Sequence, residues 1–378
     1  MRLKITSAAR IAAAPILLAL IAIALVPLRF LALAQTGSLN DSSSTTVHIG
    51  VLGLFHPDEF TVSAPAGSAL VLCAGAERLV LAQGSGMNFA TVRISEGEVV
   101  ATSGARVVRA SKLTVSGRRN DEPVDFILAV PQKISRRYHG TLEIKPSDGT
   151  LIAVVAMDRE TAVASIVAAE STPATPLEAL KAQVVAARSY LVASRGRHHE
   201  FDFCDTTHCQ FLREPPAPGS AVASAVAATR GLVLVYDSRP IAAMYTRSCS
   251  GHTHTPAELG LSGAAYPYYA VECAHCRAHP VRWSSRISPQ NAATLHSSDE
   301  SSRLNLDRRL GWSAVPSNDF VAKQDGDQII LEGTGQGHGI GLCQSGAKAM
   351  AESGADFRQI LSHYYPNTTV VTCGSFGR

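Results

Sequence analysis

The segment from Leu177 to about Ser194 constrains the fold most, because it is long, rich in Ala, Leu and Val, and carries little charge. Before it, Thr175, Pro176 and Glu178 have the spacing of a helical capping box with proline at the first helical position. At about 100° per residue, its Leu and Val side chains fall on one arc and its Ala side chains on the opposite side. The sequence therefore predicts a largely buried helix with few exposed charges.

Two basic residues interrupt this helix. Lys181 and Arg188 are seven positions apart and lie nearly in line at the edge of the Leu and Val arc. Long basic side chains can run along an apolar surface and keep only their charges in water. They can equally line a polar pocket beside the core. The sequence alone leaves both interpretations open.

The N-terminus has the pattern of an export signal. Basic residues precede an apolar run over residues 11–26, and Ala32-Leu33-Ala34 offers a cleavage site. The run is shorter than the about 20 residues that a membrane-spanning helix needs, and it contains Pro15. We therefore predict a signal peptide or an N-terminal anchor over residues 1–34, and an exported protein of the cell envelope or the extracellular space.

The charge balance argues against nucleic acid as a partner. The chain has 34 Lys and Arg residues and 31 Asp and Glu residues, and four of the basic residues lie in 1–34, which holds no acid. The remainder is close to neutral, whereas binding to duplexes usually needs a basic face. Hydrophobic residues make up 46% of the sequence, which is enough for a real core.

The order of strand and helix signals predicts an α+β protein. Residues 35–46 form a polar linker. Over residues 47–135, short alternating runs broken by Gly, Pro, Asn and Asp predict a β-rich N-terminal domain. A hairpin with a turn at Ser147-Asp148-Gly149 comes next. Near the C-terminus, a short helix is predicted to end at Gly354, and Asp356 to cap a last helix.

The eight cysteines suggest disulfide bonds or metal sites. An even number in an exported chain favours disulfides. However, His199, Cys204, His208 and Cys209 supply two imidazoles and two thiols, the donor set of a tetrahedral zinc site, with His198 as a substitute for His199. A disulfide between Cys204 and Cys209, or free thiols, is the alternative.

A second cysteine-rich set lies further along the chain. It comprises Cys249, His252, Cys273 and Cys276. The export context favours a disulfide from Cys249 to Cys273 or Cys276, with zinc as the alternative.

The segment from Gly335 to Ala347 is rich in glycine, with five glycines in its first twelve residues. Such a composition forces tight turns or a close approach of the backbone to another group. The segment is neither a Walker loop nor a convincing dinucleotide fingerprint, because the residues that complete those motifs are missing. A thiol nucleophile formed by Cys343 with His338 is disfavoured, since nothing marks an orienting partner.

Several motifs, in one consistent order, resemble the SpoIID/LytB family. The resemblance covers about residues 136–372 and implies a SpoIID-type mixed α+β domain over 136–378, preceded by the smaller β-rich domain. It also implies action on bacterial peptidoglycan, either as a lytic transglycosylase or as an enhancer of a cell-wall amidase. The matching motifs are Tyr138–Leu142, Glu170, Leu177–Tyr190, Cys204–Gln210, Gly337–Gly341 and Tyr364–Pro366.

The resemblance further implies catalytic residues. Glu170 matches the family's catalytic glutamate, although Ser171-Thr172 follows it where the family often has Met-Pro. Lys181 and Arg188 match polar family positions near that glutamate. Glu170 would protonate the glycosidic oxygen and then, as a carboxylate, take the proton of the attacking 6-hydroxyl, so one carboxylate suffices. A cation touching Glu170 would lower its pKa, so desolvation has to outweigh the cation.

Four residues are predicted to bind the substrate. Tyr245 lies just upstream of a glycine-containing turn, and the glycines beside His338 would let a sugar chain approach the backbone. Tyr364 and Tyr365 would stack on sugars, with core packing as the alternative. The predicted partners are therefore peptidoglycan glycan strands and, in the enhancer alternative, a cell-wall amidase.

The resemblance also extends to zinc, which some family members carry at the motif around His199 and Cys209. A zinc-dependent cell-wall hydrolase is thus a third hypothesis. An ion bound by four protein side chains would be structural, because an activated water needs an open coordination position.

Overall fold

The computed structural model describes residues 45–119, 122–261 and 266–373. The predicted export signal and most of the predicted linker lie outside the described residues. The N-terminal part is built of strands, as predicted. These strands are β1 (Thr46–Val51), β2 (Glu59–Ser63), β3 (Ala69–Ala74), β4 (Glu77–Ala82), β5 (Phe89–Ser95), β6 (Glu98–Ser103), β7 (Arg106–Ala110), β8 (Leu113–Ser116), β9 (Val124–Val130), β10 (Ile134–Ser147) and β11 (Thr150–Asp158).

The rest of the described chain is mixed, which confirms the α+β class in its general form. Two short 3-10 helices cover Gly53–Phe55 and Ala257–Leu259. The remaining elements are α1 (Arg159–Glu170), α2 (Leu177–Ala193), β12 (Phe203–Cys204), α3 (Ala221–Ala228), β13 (Leu232–Tyr236), β14 (Arg239–Pro240), β15 (Tyr245–Thr246), α4 (Ala274–Ala278), β16 (Arg282–Ile287), α5 (Pro289–Ala292), α6 (Glu300–Leu310), β17 (Phe320–Asp325), β18 (Gln328–Thr334), β19 (Leu342–Cys343), α7 (Gln344–Glu352), α8 (Phe357–Tyr364) and β20 (Thr369–Thr372).

One large sheet contains the first twelve strands. Its main order is β12-β1-β11-β10-β9-β2-β5-β6-β7, and β8 attaches β3 and β4 to β10. Strand β10 pairs with β9 up to Gly140 and with β11 from Thr141 onward. It also spans the boundary that we predict between residues 135 and 136, and the division into two domains stays a prediction.

The predicted hairpin is confirmed. Ser147 and Thr150 are paired across the end of β10 and β11, and Asp148 and Gly149 form the two-residue turn. Both turn residues have positive φ, 48° and 77°, as the right-handed twist of a tight hairpin requires. An Asp-Gly pair supplies this conformation at little cost, which is why the turn could be located from sequence.

Helix α2 lies between two hydrophobic cores, which explains its near absence of charge. Leu180, Val184 and Leu191 pack into the core of the large sheet and α1. Ala182 and Ala186 pack into a second core formed by the C-terminal elements. A helix that is buried on both sides has little polar face to present to water.

The predicted capping box at the start of α2 is wrong. The helix begins at Leu177 after Pro176, which has no side-chain cap. Thr175 instead accepts a hydrogen bond from the Thr172 amide at 3.1 Å, and Glu178 accepts one from the Phe357 amide at 2.9 Å. The two side chains thus join α2 to neighbouring segments rather than to each other.

The C-terminal helices agree with the prediction. Helix α7 ends at Glu352, and Gly354 has a φ of 92° just after it. Asp356 and Gln359 form a reciprocal capping box at the start of α8. Among the described residues, none of the helices combines the length and the apolar character needed to cross a bilayer.

Candidate active site

Glu170 is the last residue of α1, and its position shapes its acidity. Asp158 caps the start of the helix by accepting a hydrogen bond from the Glu160 amide at 2.9 Å. The Glu170 side chain lies at the opposite end, where the helix dipole disfavours a negative charge. Burial raises the pKa of this half-buried carboxyl above its ordinary value, against the opposing effects of Arg247, Arg213 and a hydrogen bond from Gln344. Desolvation thus outweighs the nearby cations, as a general acid requires.

Two side chains from distant segments hold the end of α1. Arg247 Nη1 donates to the Glu170 carbonyl at 3.3 Å, and Gln344 Nε2 donates to the same oxygen at 3.4 Å. Ser171, one of the departures from the family pattern, hydrogen-bonds to the Val167 carbonyl through its amide and its hydroxyl, at 3.0 and 2.6 Å. Two of the carbonyls left over at the helix end are therefore satisfied, and the backbone at Glu170 is held at a defined point.

Tyr245 contributes a hydroxyl that is close enough to feel the charge of Glu170. Its Oη is buried and has no hydrogen-bond partner among the described residues. Burial raises the pKa of Tyr245 well above its ordinary value, and the charge of Glu170 adds to that effect. A buried hydroxyl without a partner costs free energy, so this group needs an explanation, and the predicted contact of Tyr245 with substrate stays a prediction.

His338 is a structural connector at neutral pH. Its Nδ1 accepts a hydrogen bond from the Ile340 amide at 3.0 Å, and the ring also bonds to the Tyr245 backbone. Burial lowers the pKa of His338 to about 4, so the imidazole is neutral. It therefore links the glycine-rich segment to β15, and the predicted contact with a sugar chain stays a prediction.

The first histidine and cysteine set converges, with one change of ligand. His199 is wrong as a member: its side chain is 95% exposed and points to Glu200. His198 takes its place, packed against the Phe201 ring with 4.6 Å between ring centres. The four donor atoms all lie within 4.8 Å of one another. The "His/Cys cluster" hereafter comprises His198, Cys204, His208 and Cys209.

The loop that carries the His/Cys cluster is anchored to the large sheet by Asp205. The Asp205 carboxylate accepts a hydrogen bond from Arg136 at 3.2 Å and one from the Leu52 amide at 3.4 Å. Tyr138, on β10, donates to the same oxygen at 3.4 Å. The loop is therefore fixed to the sheet beside the cluster.

The second set also converges, and again one member differs from the prediction. His252 is exposed and stays outside, and Cys343 takes its place. None of the cysteines that the structure describes forms a disulfide bond. The "four-cysteine cluster" hereafter comprises Cys249, Cys273, Cys276 and Cys343, which are all buried and whose sulfurs lie within 4.8 Å of one another.

Comparison with known proteins shows which family this chain belongs to. The SpoIID family, described as stage II sporulation protein, matches residues 147–236, the part that contains Glu170, α2 and the His/Cys cluster. Stage II sporulation protein D of Bacillus subtilis is 26% identical over 316 residues, 71% of this chain and 88% of the relative. The chain belongs to the SpoIID/LytB family.

Two further relatives support the assignment to the SpoIID/LytB family. An uncharacterized protein of Brachyspira hyodysenteriae is 30% identical over 267 residues, 62% of this chain and 72% of the relative. The amidase enhancer of Bacillus subtilis is 41% identical, but only over 63 residues, 17% of this chain and 9% of the relative.

Two residues that match polar SpoIID/LytB positions pair with carboxylates other than Glu170. The Lys181 ammonium pairs with Glu178 at 2.6 Å. Arg188 is fully buried, and its guanidinium forms two hydrogen bonds with Glu160, at 2.8 and 2.6 Å, and one with the Leu232 carbonyl at 3.0 Å. The pocket interpretation of Arg188 is therefore wrong in this structure, because its charge is satisfied inside the core.

The two tyrosines of the last SpoIID/LytB motif are core residues, so the predicted stacking on sugars is wrong. Tyr364 and Tyr365 are 1% and 0% exposed. The Tyr365 hydroxyl donates to the Met244 carbonyl at 2.5 Å, and the Tyr364 hydroxyl lies 3.6 Å from the Cys273 sulfur. Their rings pack in the second core, where no sugar can reach them.

Sequence reasoning missed the polar side chains that act on Glu170. Arg247 follows Tyr245 by two positions, and Gln344 lies within the glycine-rich segment, so both belong to or adjoin motifs that the sequence marks. Arg213 lies just beyond the His/Cys cluster and packs on the Phe211 ring at 4.9 Å. The sequence offered one signal for these residues, namely that they lie in or near motifs that it marks. Their convergence on the end of α1 depends on long-range packing.

Proposed function

We propose that this chain remodels bacterial cell wall by cleaving peptidoglycan glycan strands through non-hydrolytic transglycosylation, with Glu170 as acid and then base. The observation that carries the proposal is a half-buried carboxyl with a raised pKa, next to a buried hydroxyl without a partner. Such a carboxyl is protonated at higher pH than an exposed glutamate and can donate its proton to a leaving oxygen.

One carboxylic acid is enough for both proton transfers of the reaction. Glu170 donates its proton to the glycosidic oxygen as the bond from that oxygen to C1 breaks. The 6-hydroxyl oxygen of the same sugar forms a new bond to C1, and its proton passes to the Glu170 carboxylate. Arg247 and Arg213 favour the ionised carboxylate between the two transfers, because they lower its pKa. The glutamic acid is thereby regenerated and water is not consumed.

A second candidate function is enhancement of a cell-wall amidase without cleavage of glycan. The similarity to the amidase enhancer favours it, and that similarity covers a short stretch. One assay separates the two functions. Peptide-stripped peptidoglycan is incubated with the purified chain, with and without a cell-wall amidase, and the products are identified by mass spectrometry. Sugar ends of the 1,6-anhydro type from the chain alone support cleavage. Absence of such ends together with faster amidase turnover supports the enhancer.

Tyr245 gives a prediction in which stability and activity move in opposite directions. Tyr245→Phe removes an unsatisfied buried hydroxyl, so the free energy of unfolding is expected to stay equal or rise by about 1–3 kcal/mol. Glycan cleavage is expected to fall, because phenylalanine lacks the hydroxyl that is proposed to bind the substrate near Glu170. Urea denaturation and the product assay measure the two effects.

The matched control for Tyr245→Phe is Tyr268→Phe. The Tyr268 hydroxyl contacts the Ala242 carbonyl and accepts a hydrogen bond from the Met244 amide. Its loss is expected to lower stability. Unchanged glycan cleavage by Tyr245→Phe would contradict a role of Tyr245 in substrate binding.

The pH dependence of cleavage gives a further prediction. The acid form of Glu170 is the active form, so the rate is expected to fall as pH rises through its raised pKa. Arg213 opposes the rise in that pKa. Arg213→Gln is therefore expected to move the fall in rate to higher pH, and Arg239→Gln, at an exposed position in β14, should leave the profile in place. A shift to lower pH, or none, would contradict the assignment.

Zinc at the His/Cys cluster is part of the same proposal. The donor set of two imidazoles and two thiols suits tetrahedral zinc, and the spread of the donor atoms fits one ion. Four protein ligands close the coordination sphere, so the ion would stabilise the loop after α2 and would leave no position for an activated water. The zinc-dependent hydrolase is therefore the least supported of the three functions.

The change of histidine ligand can be tested directly. His198→Ala is expected to lose zinc from the His/Cys cluster. His199→Ala is expected to retain it, because the His199 ring is in solvent. Metal analysis of the two purified variants gives the answer. Loss of zinc from His199→Ala alone would contradict His198 as the ligand and return His199 to the site.

A further inference from the structure

We propose that the four-cysteine cluster binds one zinc ion as a structural four-thiolate site. The proposal does not depend on the proposed function, because it rests on the geometry of four buried sulfurs. It adds a second metal site to the chain, at the centre of the C-terminal core and separate from the His/Cys cluster.

The distances between the sulfurs fit a shared ion. A zinc–sulfur bond of about 2.3 Å gives a tetrahedron with edges of about 3.8 Å. The Cys276 and Cys343 sulfurs are 3.5 Å apart, and all four sulfurs lie within 4.8 Å of one another. Two disulfide bonds would instead draw the sulfurs into separate pairs, each joined at about 2.05 Å. A cluster of several irons would hold the four sulfurs further apart.

The backbone around the cluster is arranged to receive thiolates. Cys273 and Cys276 have the C-x-x-C spacing of zinc sites, and Cys276 lies on α4, which begins just after Cys273. Cys343 caps the start of α7, where the helix dipole favours negative charge. Its sulfur accepts hydrogen bonds from the Cys249 amide at 3.3 Å and from the Gly346 amide at 3.4 Å.

Two further neighbours complete the surroundings of the sulfurs. The Ser248 hydroxyl lies 3.4 Å from the Cys276 sulfur, and the Tyr364 hydroxyl lies 3.6 Å from the Cys273 sulfur. At Gly346, a Cβ would lie only 2.6 Å from the Cys273 sulfur, so glycine is needed for the close approach of α7. Outer hydrogen bonds of this kind orient metal ligands and stabilise their charge.

The site has a structural consequence for the end of α1. Arg247 lies two residues before Cys249, and Gln344 directly follows Cys343. These two side chains donate to the Glu170 carbonyl. An ion that joins the turn after β15 to the start of α7 therefore fixes both donors relative to Glu170.

Metal analysis of the full chain tests the proposal. Wild type and Cys276→Ser are purified without chelator, and their zinc and iron contents are measured by mass spectrometry. We expect Cys276→Ser to carry one zinc fewer per chain than wild type, and Cys276→His to regain it. Cys73→Ser, at a half-buried position in β3, is the matched control and should keep the wild-type content. Equal zinc content in wild type and Cys276→Ser, or iron in place of zinc, would overturn the proposal.

A second measurement does not depend on the folding of a variant. Wild-type chain is denatured without reductant in the presence of a chelator and then treated with an alkylating reagent. Zinc binding predicts that all four cysteines of the cluster become alkylated, whereas two disulfides would leave all four unmodified and overturn the proposal. Because neither readout uses glycan cleavage, the result stands whether or not the proposed function is correct.

Discussion

Glu170→Gln is expected to lower the rate of glycan cleavage by about 10²–10⁴-fold, the contribution typical of a positioned general acid and base. Glutamine retains the size of the side chain, and Arg247 and Gln344 can still donate to the backbone carbonyl of residue 170, so the end of α1 should stay in place. The variant can neither protonate the leaving oxygen nor accept the proton of the 6-hydroxyl. The rate is measured as 1,6-anhydro ends formed per unit time from peptide-stripped peptidoglycan.

Glu352→Gln is the matched control for this experiment. Glu352 lies on α7, half exposed, with its carboxylate 3.8 Å from Lys348. Its loss is expected to leave both stability and cleavage within error of wild type. Urea denaturation of Glu170→Gln should give stability equal to or above that of wild type, because a buried carboxyl with a raised pKa opposes folding once it ionises. A folded Glu170→Gln protein with the wild-type rate would exclude Glu170 as the acid.

Arg188→Met is expected to lower the free energy of unfolding by about 3–5 kcal/mol, because it leaves a largely buried carboxylate without its partner. Glu160, which is 13% exposed, pairs with Arg188 at 2.6 Å, and the Leu232 carbonyl loses a donor as well. Urea denaturation, with the midpoint and slope compared between proteins, measures the effect. The double variant Arg188→Met with Glu160→Leu should recover most of the loss, since an apolar pair of similar volume can replace a buried ion pair.

Lys181→Met provides the contrast within the same helix. The Lys181 and Glu178 side chains are 19% and 32% exposed, so their ion pair is partly solvated and its loss should cost about 0–1 kcal/mol. An Arg188→Met protein that is as stable as wild type but inactive would contradict the structural role of Arg188. It would return Arg188 to the catalytic site that the family resemblance implied.

Features determined by neighbouring residues could be predicted from the sequence. Asp148 and Gly149 specify their turn through their own backbone preferences, and Asp356 specifies the start of α8 through a bond to Gln359. Glu170 was found through the family resemblance, and its half-buried position agrees with a chemical role. In each case, the information lies within a few residues or within a motif.

Features determined by packing could not be predicted. Arg188 shares its helix edge with Lys181, and only the approach of Glu160 from α1 distinguishes a buried ion pair from a pocket cation. His198 and His199 are adjacent and chemically equivalent, and the turn of the backbone decides which ring joins the cluster. Cys343 is 67 positions from Cys276, so its sulfur could not be assigned to the cluster by spacing. These outcomes depend on which segments pack together.

The proposed role of Glu170, proton transfer without any consumption of water, is tested most directly by an isotope experiment. Peptide-stripped peptidoglycan is cleaved by the wild-type chain in water enriched in the heavy oxygen isotope, and the new sugar ends are examined by mass spectrometry. Non-hydrolytic transglycosylation by Glu170 predicts 1,6-anhydro ends that contain no heavy oxygen and that are absent with Glu170→Gln. New reducing ends that carry the heavy isotope, formed equally by Glu170→Gln, would contradict it.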